Sequence, residues 1–185
     1  MLVLLASCGF VTIHDGDSTN DIFEDSGDGA DEGAAWCDEV HDTGVPVGPD
    51  CFSGTLACGD TLEATTSGGE SLFASEDYTS NFCFPNLDQS SYAGSERAYL
   101  VALDSGVEAV LSVSAACAAL GVAVMRWTDA NTCPVDTAVP SCEGDEGPGD
   151  FSIAFGGFDS SNQWVVVVDT RDEESAAFRL ALTCG

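Results

Sequence analysis

The sequence predicts an all-β fold, an antiparallel β-sandwich of the jelly-roll type with about eight strands, stabilised by disulfides. Apolar residues alternate with polar ones at period two through residues 51–185, and turn residues separate the runs. Nine cysteines supply covalent links. Neither GxGxxG nor GxxxxGK[ST] occurs, and no helical crossover pattern follows a strand, so the nucleotide-binding α/β folds are excluded.

The alternation locates the strands. The clearest runs are Arg97–Leu103, Val107–Cys117, Phe151–Phe155, Gln163–Asp169 and Phe178–Cys184. Weaker runs are Thr61–Thr66, Tyr78–Cys83 and Gly121–Trp127. The valine-rich run Gln163–Asp169 suits a strand that is buried on both faces. The alanine-rich stretch Ala115–Met125 equally suits a short buried helix.

The N-terminus resembles the end of a bacterial lipoprotein signal. An apolar run leads into Leu5, Ala6 and Ser7, which fill the positions of a lipobox before Cys8. The resemblance implies that residues 1–7 are a signal peptide and that Cys8 carries acyl chains such as palmitate. It therefore predicts a lipid-anchored protein of the cell envelope, at the outer membrane or cell surface. The alternative is a chance apolar N-terminus or a first strand of the fold.

Residues 8–50 are predicted to form a disordered spacer. From His14 to Asp50 there are twelve acidic residues and no basic residue, with Gly, Ser and Thr between them. Such a segment buries too little apolar surface to offset its ordering entropy, and its like charges extend it. The spacer would hold the domain at 51–185 away from the membrane.

The charge balance excludes several partners. Acidic residues outnumber basic ones 32 to 4, which gives a net charge of -28. No basic stripe exists to displace counterions from phosphate, so nucleic acid is not a partner. An anionic membrane surface would repel the chain. The same charge predicts that stability rises with salt, because screening relieves self-repulsion.

The cysteine count fits an oxidising compartment. Lipidation of Cys8 leaves eight cysteines for four disulfides. These are Cys37, Cys51, Cys58, Cys83, Cys117, Cys133, Cys142 and Cys184. Short loops favour Cys133–Cys142 and Cys37–Cys51, and the other four cysteines are left in three possible arrangements. A zinc site is disfavoured because no Cys-x-x-Cys pair occurs.

The sequence offers little catalytic chemistry. Both histidines, His14 and His41, lie in the spacer, so no Ser-His-Asp or Cys-His relay is expected. Asp-Ser-Gly or Asp-Thr-Gly triplets begin at Asp25, Asp42 and Asp104. Two of these fall in the spacer, and the third suits a hairpin turn. The protein is predicted not to be an enzyme.

One acidic group in the domain suggests a structural calcium ion. Glu143, Asp145, Glu146 and Asp150 are set among glycines on a predicted loop after Cys142. Calcium takes several oxygen ligands on such loops, and Asp129 or Asp136 could join them. The alternative is an evenly acidic surface with no ion, and no other cofactor is expected.

Residues 55 to 185 resemble the bacterial pre-peptidase C-terminal type of β-sandwich, as found in myxobacterial-type lipoproteins. The residues that carry the resemblance are Cys58–Leu62, Thr65–Gly68, Cys83, Glu96–Leu100, Arg126–Asp129, Cys133, Cys142, Trp164–Asp169 and Phe178–Cys184. The resemblance implies a non-catalytic binding or structural module for an unknown extracellular ligand or protein.

Two other functions remain open. A calcium-dependent adhesion or carbohydrate-binding domain would need exposed aromatic rings, for which Trp127, Trp164, Tyr92 and Tyr99 are candidates. A secreted hydrolase is the least favoured function.

Overall fold

A computed structural model describes residues 37, 52–69, 71, 73, 94–127, 132, 141–171 and 175–185. All of them belong to one unit, Asp31–Gly185. They contain seven strands: β1 (Phe52–Leu56), β2 (Thr61–Thr65), β3 (Arg97–Leu103), β4 (Glu108–Arg126), β5 (Cys142–Gly156), β6 (Asn162–Thr170) and β7 (Ala177–Cys184). Within this part of the chain, no helix has the length and apolar character needed to cross a bilayer.

The strands form a curled sheet in the order β1-β3-β6-β4-β7-β2, with β5 paired to β4. The long β4 belongs to both halves of this sheet. Its first half, Ala109–Ser114, pairs with β7. Its second half, Leu120–Arg126, pairs with β6. The all-β, sandwich-like fold that the sequence predicts is therefore confirmed.

The pairing of β4 with β5 is irregular between Ala115 and Leu120. On β5 the opposite residues are Gly147, Pro148 and Gly149, and both glycines have positive φ. Proline cannot donate to a ladder, and glycine adopts positive φ without strain, which explains why the ladder is interrupted here.

Four predicted strands are confirmed: β3 with the same ends, and β2, β6 and β7 with small changes in their ends. Two predicted strands, Val107–Cys117 and Gly121–Trp127, are one continuous strand, β4. The helical alternative for Ala115–Met125 is wrong, because these residues are extended and Leu120–Met125 pairs with strands on both sides. The predicted strand Tyr78–Cys83 lies outside the described residues.

The sequence also missed two strand features. β1 was not predicted, and it pairs with β3 in parallel, so the sheet is not wholly antiparallel. Gly54 interrupts the short β1 and the ladder shifts register there, which explains why the alternation is weak. β5 begins at Cys142 rather than near Phe151.

Two apolar clusters cover the two faces of β6. Val166 and Val168 belong to the main cluster, which lies between the halves of the sheet. Val165 and Val167 belong to a second cluster on the opposite face. Because side chains alternate along a strand, burial on both faces requires apolar residues at consecutive positions. This confirms the interpretation of the valine run.

The structure corrects the disulfide pairing. Cys37 is bonded to Cys117, 80 residues away in sequence, so the predicted Cys37–Cys51 pair is wrong. A disulfide needs two closely placed Cα atoms, and the fold brings those of Cys37 and Cys117 to 5.5 Å of each other whatever their sequence separation.

A second bridge joins Cys58 to Cys184, a pairing that the sequence left open. Cys142 is also disulfide-bonded. Cys51, Cys83 and Cys133 lie outside the described residues, so the Cys133–Cys142 pair stays a prediction.

Candidate functional site

A cleft of about 510 Å³ lies at one end of the sheet. Because β6 runs antiparallel to both of its neighbours, β3 and β4 end where β6 begins. We call this cavity the end cleft. Its described lining residues are Ala102, Leu103, Asp104, Arg126, Trp127, Ser161, Asn162 and Gln163.

Asn162 is the buried polar residue of the end cleft, with 7% of its surface exposed. Its Nδ2 donates a hydrogen bond to the Ser160 carbonyl, which fixes the orientation of the side-chain amide. Its Oδ1 is buried and has no hydrogen-bond partner among the residues that the structure describes. An acceptor left in this state costs about 1–3 kcal/mol.

Backbone hydrogen bonds hold Arg126 and Trp127 at the mouth of the cleft. The amide of Arg126 donates to the Ser141 carbonyl at 2.8 Å, and that of Trp127 donates to the Gln163 carbonyl at 2.9 Å. The indole N–H of Trp127 donates to the Thr132 carbonyl at 2.9 Å. The ring of Trp127 is half-buried against the second apolar cluster and also lines the cleft.

The guanidinium of Arg126 lies 4.5 Å from the ring centre of Phe158. This is a cation–π geometry, and it holds a long side chain that would otherwise be free to move. Two other arginines lie elsewhere: Arg97 is buried and donates to the Thr65 and Ser67 carbonyls, and Arg179 pairs with Glu63. Arg126 thus brings a positive charge to the end cleft of a strongly acidic protein.

A second cavity of about 330 Å³ lies behind Phe158. The ring centres of Phe155 and Phe158 lie 5.1 and 5.8 Å, respectively, from that of Trp164. The indole nitrogen of Trp164 is buried and has no hydrogen-bond partner in the described part of the chain. Glu108 and Glu143 also line this cavity.

The structure separates the aromatic residues that the sequence suggested for a sugar platform. Trp164 and Tyr99 are 1% and 5% exposed, so they belong to the core and present no platform. Tyr92 lies outside the described residues. Trp127 remains, because it lines the end cleft.

The acidic group proposed for calcium lies on a strand and not on a loop, which corrects the sequence interpretation. Glu143, Asp145, Glu146 and Asp150 all belong to β5, where β4 supplies the ladder partners. Glu143, Asp145 and Asp150 are exposed, whereas Glu146 is half-buried. Among the described residues, no three His, Cys, Asp or Glu side chains come together in a way that could hold a metal ion.

The remaining sequence candidates fall in two groups. Asp104 is exposed in the turn after β3, where its carbonyl accepts a hydrogen bond from Val107. This is the hairpin-turn position that the sequence predicts. The other residues lie outside the described part: Leu5, Ala6, Ser7, Cys8, His14, Asp25, His41, Asp42, Asp129 and Asp136.

The sequence did not mark Asn162, Arg126 or Phe158 as site residues, although Arg126 is among the residues that carry the family resemblance. A partial signal exists, because Arg126 and Trp127 are adjacent at the end of an apolar strand and Asn162 begins the next clear one. Only the sheet order shows that these strand ends meet.

Comparison with known proteins gives structural neighbours only. No family model and no curated protein matches the chain. One similar structure is the pre-peptidase C-terminal domain of collagenase from Bacillus anthracis, with TM-score 0.42 and 9% identity, covering 71% of this chain and 96% of that one.

Two further structures are similar. Aeromonas hydrophila PliG, a periplasmic inhibitor of g-type lysozyme, has TM-score 0.39 and 10% identity, covering 71% of this chain and 99% of that one. CorA, a surface-associated copper-binding protein of Methylomicrobium album BG8, has TM-score 0.42 and 7% identity, covering 72% and 98%. Similarity at this level does not indicate what this chain binds.

Proposed function

We propose that this chain is a non-catalytic binding module of the bacterial cell envelope. A lipid on Cys8 anchors it, the acidic spacer extends it from the membrane, and the end cleft binds its ligand.

The observation that carries the proposal is the lining of the end cleft, which brings Arg126, Trp127 and the amide residues Asn162 and Gln163 together. A few convergent polar groups beside an aromatic ring are typical of ligand sites.

The anchor is supported by the lipobox residues and by the charge of the chain. A net charge of -28 opposes binding to anionic lipid, so a covalent anchor is the route by which this protein would be held at a membrane. The eight remaining cysteines fit the oxidising side of that membrane.

The test is a nuclear magnetic resonance titration of the ¹⁵N-labelled protein with monosaccharides, amino acids and nucleosides at millimolar concentration. We expect one of these classes to shift the indole signal of Trp127 and the side-chain amide signals of Asn162 and Gln163. The variant Thr61→Ala, at an exposed position on edge strand β2, is the matched control and should titrate like the wild type.

Two results would overturn the proposal. One is that no class shifts the signals of the end cleft. The other is hydrolysis of peptide or glycoside substrates by the purified protein, because a binding module turns over neither.

A further inference from the structure

We propose that the open edge of β5, at residues 150–154, binds an extended segment of a partner protein and adds it to the sheet as a further strand. The segment alternates apolar and basic residues. This is a second interaction surface, and it does not depend on the end cleft. The proposal follows from the backbone groups of this edge, from the half-buried ring of Phe151 and from the carboxylates at the two ends of the stretch.

The register of β5 against β4 determines which backbone groups face the open edge. Gly157 donates to the Val107 carbonyl at 2.8 Å, so its amide faces β4. Bonded and non-bonded pairs alternate along an antiparallel ladder, and this ladder continues without a shift to Gly149. The residues whose amides and carbonyls face away from β4 are therefore Asp150, Ser152 and Ala154.

The described part of the chain leaves this stretch of the edge uncovered. Among the described residues, β4 is the only strand paired with β5. Nearer its start the edge is less regular, because the Glu146 amide donates to Oδ1 of Asp145 at 2.8 Å and Pro148 has no amide hydrogen. A regular row of open donors and acceptors is what an extended peptide uses when it joins a sheet.

Phe151 gives the edge an apolar side. It shares the core-facing side of β5 with Ile153 and Phe155, which are buried, whereas Phe151 is only half-buried against the main cluster. Side chains of neighbouring strands pair across a ladder, so an added strand would place a side chain beside this ring. An apolar side chain there would cover the ring, so the partner is apolar at the positions that face the core.

The outer face selects basic residues at the alternate positions. Asp150 is exposed at one end of the stretch. At the other end lies the exposed carboxylate of Glu108, since a Cβ built at Gly157 would be 3.2 Å from its Oε1. Arg179, which lines the same outer face as Asp150, pairs with Glu63. The net charge of -28 adds a long-range attraction for a basic segment.

The same charge opposes a second copy of this chain as the occupant. Pairing of β5 with the β5 of another molecule would bring together two chains that each carry a net charge of -28. Acidic residues on an edge strand prevent such self-association, while a strand of opposite charge is still attracted.

The test is a nuclear magnetic resonance titration of the ¹⁵N-labelled full chain, at low salt, with the peptide acetyl-Lys-Val-Lys-Val-Lys-Val-Lys-amide. We expect hydrogen exchange of the amides of Asp150, Ser152 and Ala154 to slow at least about tenfold on binding, because new ladder bonds protect them. The peptide with Glu in place of Lys should bind at least about tenfold weaker.

Two methylated peptides separate strand addition from general charge attraction. One carries backbone N-methyl groups on three lysines and the other on the three valines, so both keep every charge. Only every second amide of an added strand faces β5, so one of the two should bind at least about tenfold weaker than the other. Equal binding of the two would overturn the proposal.

Variants locate the surface on β5. Ser152→Pro removes an open amide without removing a bond to β4 and should weaken binding at least about tenfold, whereas Ser152→Ala should bind like the wild type. Should Ser152→Pro not fold, Asp150→Asn carries the test and should weaken binding about two- to fivefold. Its matched control is Asp60→Asn, an exposed carboxylate before edge strand β2, which should bind like the wild type.

Three other results would overturn the proposal. Slow exchange of the three amides in the free monomer would show that another segment of this chain covers the edge. A dimer of the free protein in sedimentation that Ser152→Pro abolishes would show that a second copy does. Unchanged peptide binding by both Ser152→Pro and Asp150→Asn would place the peptide elsewhere. None of these results bears on the end cleft, so the proposed function is tested separately.

Discussion

Removal of the Cys58–Cys184 disulfide should destabilise the protein mainly through its unfolded state. Cys58 lies in the turn between β1 and β2, and Cys184 ends β7. The backbone bonds beside it do not depend on sulfur: Gly59 donates to the Leu182 carbonyl at 2.7 Å, and Leu182 donates to the Asp60 carbonyl at 3.0 Å. The double variant Cys58→Ser, Cys184→Ser should therefore keep the folded pairing of β2 and β7.

The size of the effect follows from the loop that the bridge closes. A sequence separation of 126 residues corresponds to a loop entropy of roughly 16 cal/mol/K, or about 5 kcal/mol at 25 °C. The second bridge, Cys37–Cys117, overlaps this loop and already restricts part of the same unfolded chain. We therefore expect a loss of about 3–5 kcal/mol in the free energy of unfolding.

The assay is urea unfolding followed by tryptophan fluorescence and circular dichroism. The urea m-value should rise in the variant, because the unlinked chain exposes more surface. The matched variant Cys37→Ser, Cys117→Ser removes a bridge that closes a shorter loop, 80 residues, so its free energy of unfolding should fall by about 0.4 kcal/mol less. A loss below about 1 kcal/mol with an unchanged m-value would refute the reasoning.

Three further predictions concern the core, the charge and calcium. Phe178→Ala removes a fully buried ring that contacts Tyr99 edge-on, with 6.4 Å between the ring centroids. The free energy of unfolding, measured in urea, should therefore fall by about 3–5 kcal/mol. A loss under about 1 kcal/mol would contradict this. The melting temperature should rise from low to molar NaCl, because salt screens the net charge of -28. Sucrose at equal osmolality is the uncharged control. A melting temperature that stays flat or falls with NaCl counts against charge repulsion. If acidic residues of β5 bind a calcium ion together with residues outside the described part, millimolar Ca²⁺ should raise the melting temperature. The double variant Asp145→Asn, Asp150→Asn should then remove this rise. No shift in the wild type would reject the calcium ion.

The strands that the sequence predicted best are those whose two faces differ, or whose faces are both buried. β3 matches its predicted bounds, Arg97–Leu103, because Tyr99, Val101 and Leu103 are buried at every second position. β6 was recognisable from its four consecutive valines, because such a run places apolar side chains on both faces of the strand.

The segment Cys142–Asp150 shows where local composition misleads. Its glycines, proline and carboxylates favour a loop, yet β4 offers a free ladder edge and the segment pairs with it. Strand preference depends strongly on what the neighbouring strand provides, so tertiary context overrides composition here. The same pairing spreads the acidic side chains along a strand.

The disulfides and the end cleft could not be deduced because both depend on long-range order. Cys37 and Cys117 are 80 residues apart, and a preference for short loops pointed to the wrong partner. Asp104, Arg126 and Asn162 meet only because β3, β6 and β4 are neighbours. The order of strands in a sheet is not encoded in any single strand.

The proposed placement outside the cytoplasm underlies both the disulfides and the envelope role. The most direct test is the intact mass of the protein recovered from native membranes, before and after reduction. The account predicts loss of residues 1–7, acyl mass on Cys8, and a gain of eight hydrogens when the eight remaining cysteines are reduced. An unprocessed N-terminus, or free thiols before reduction, would contradict it.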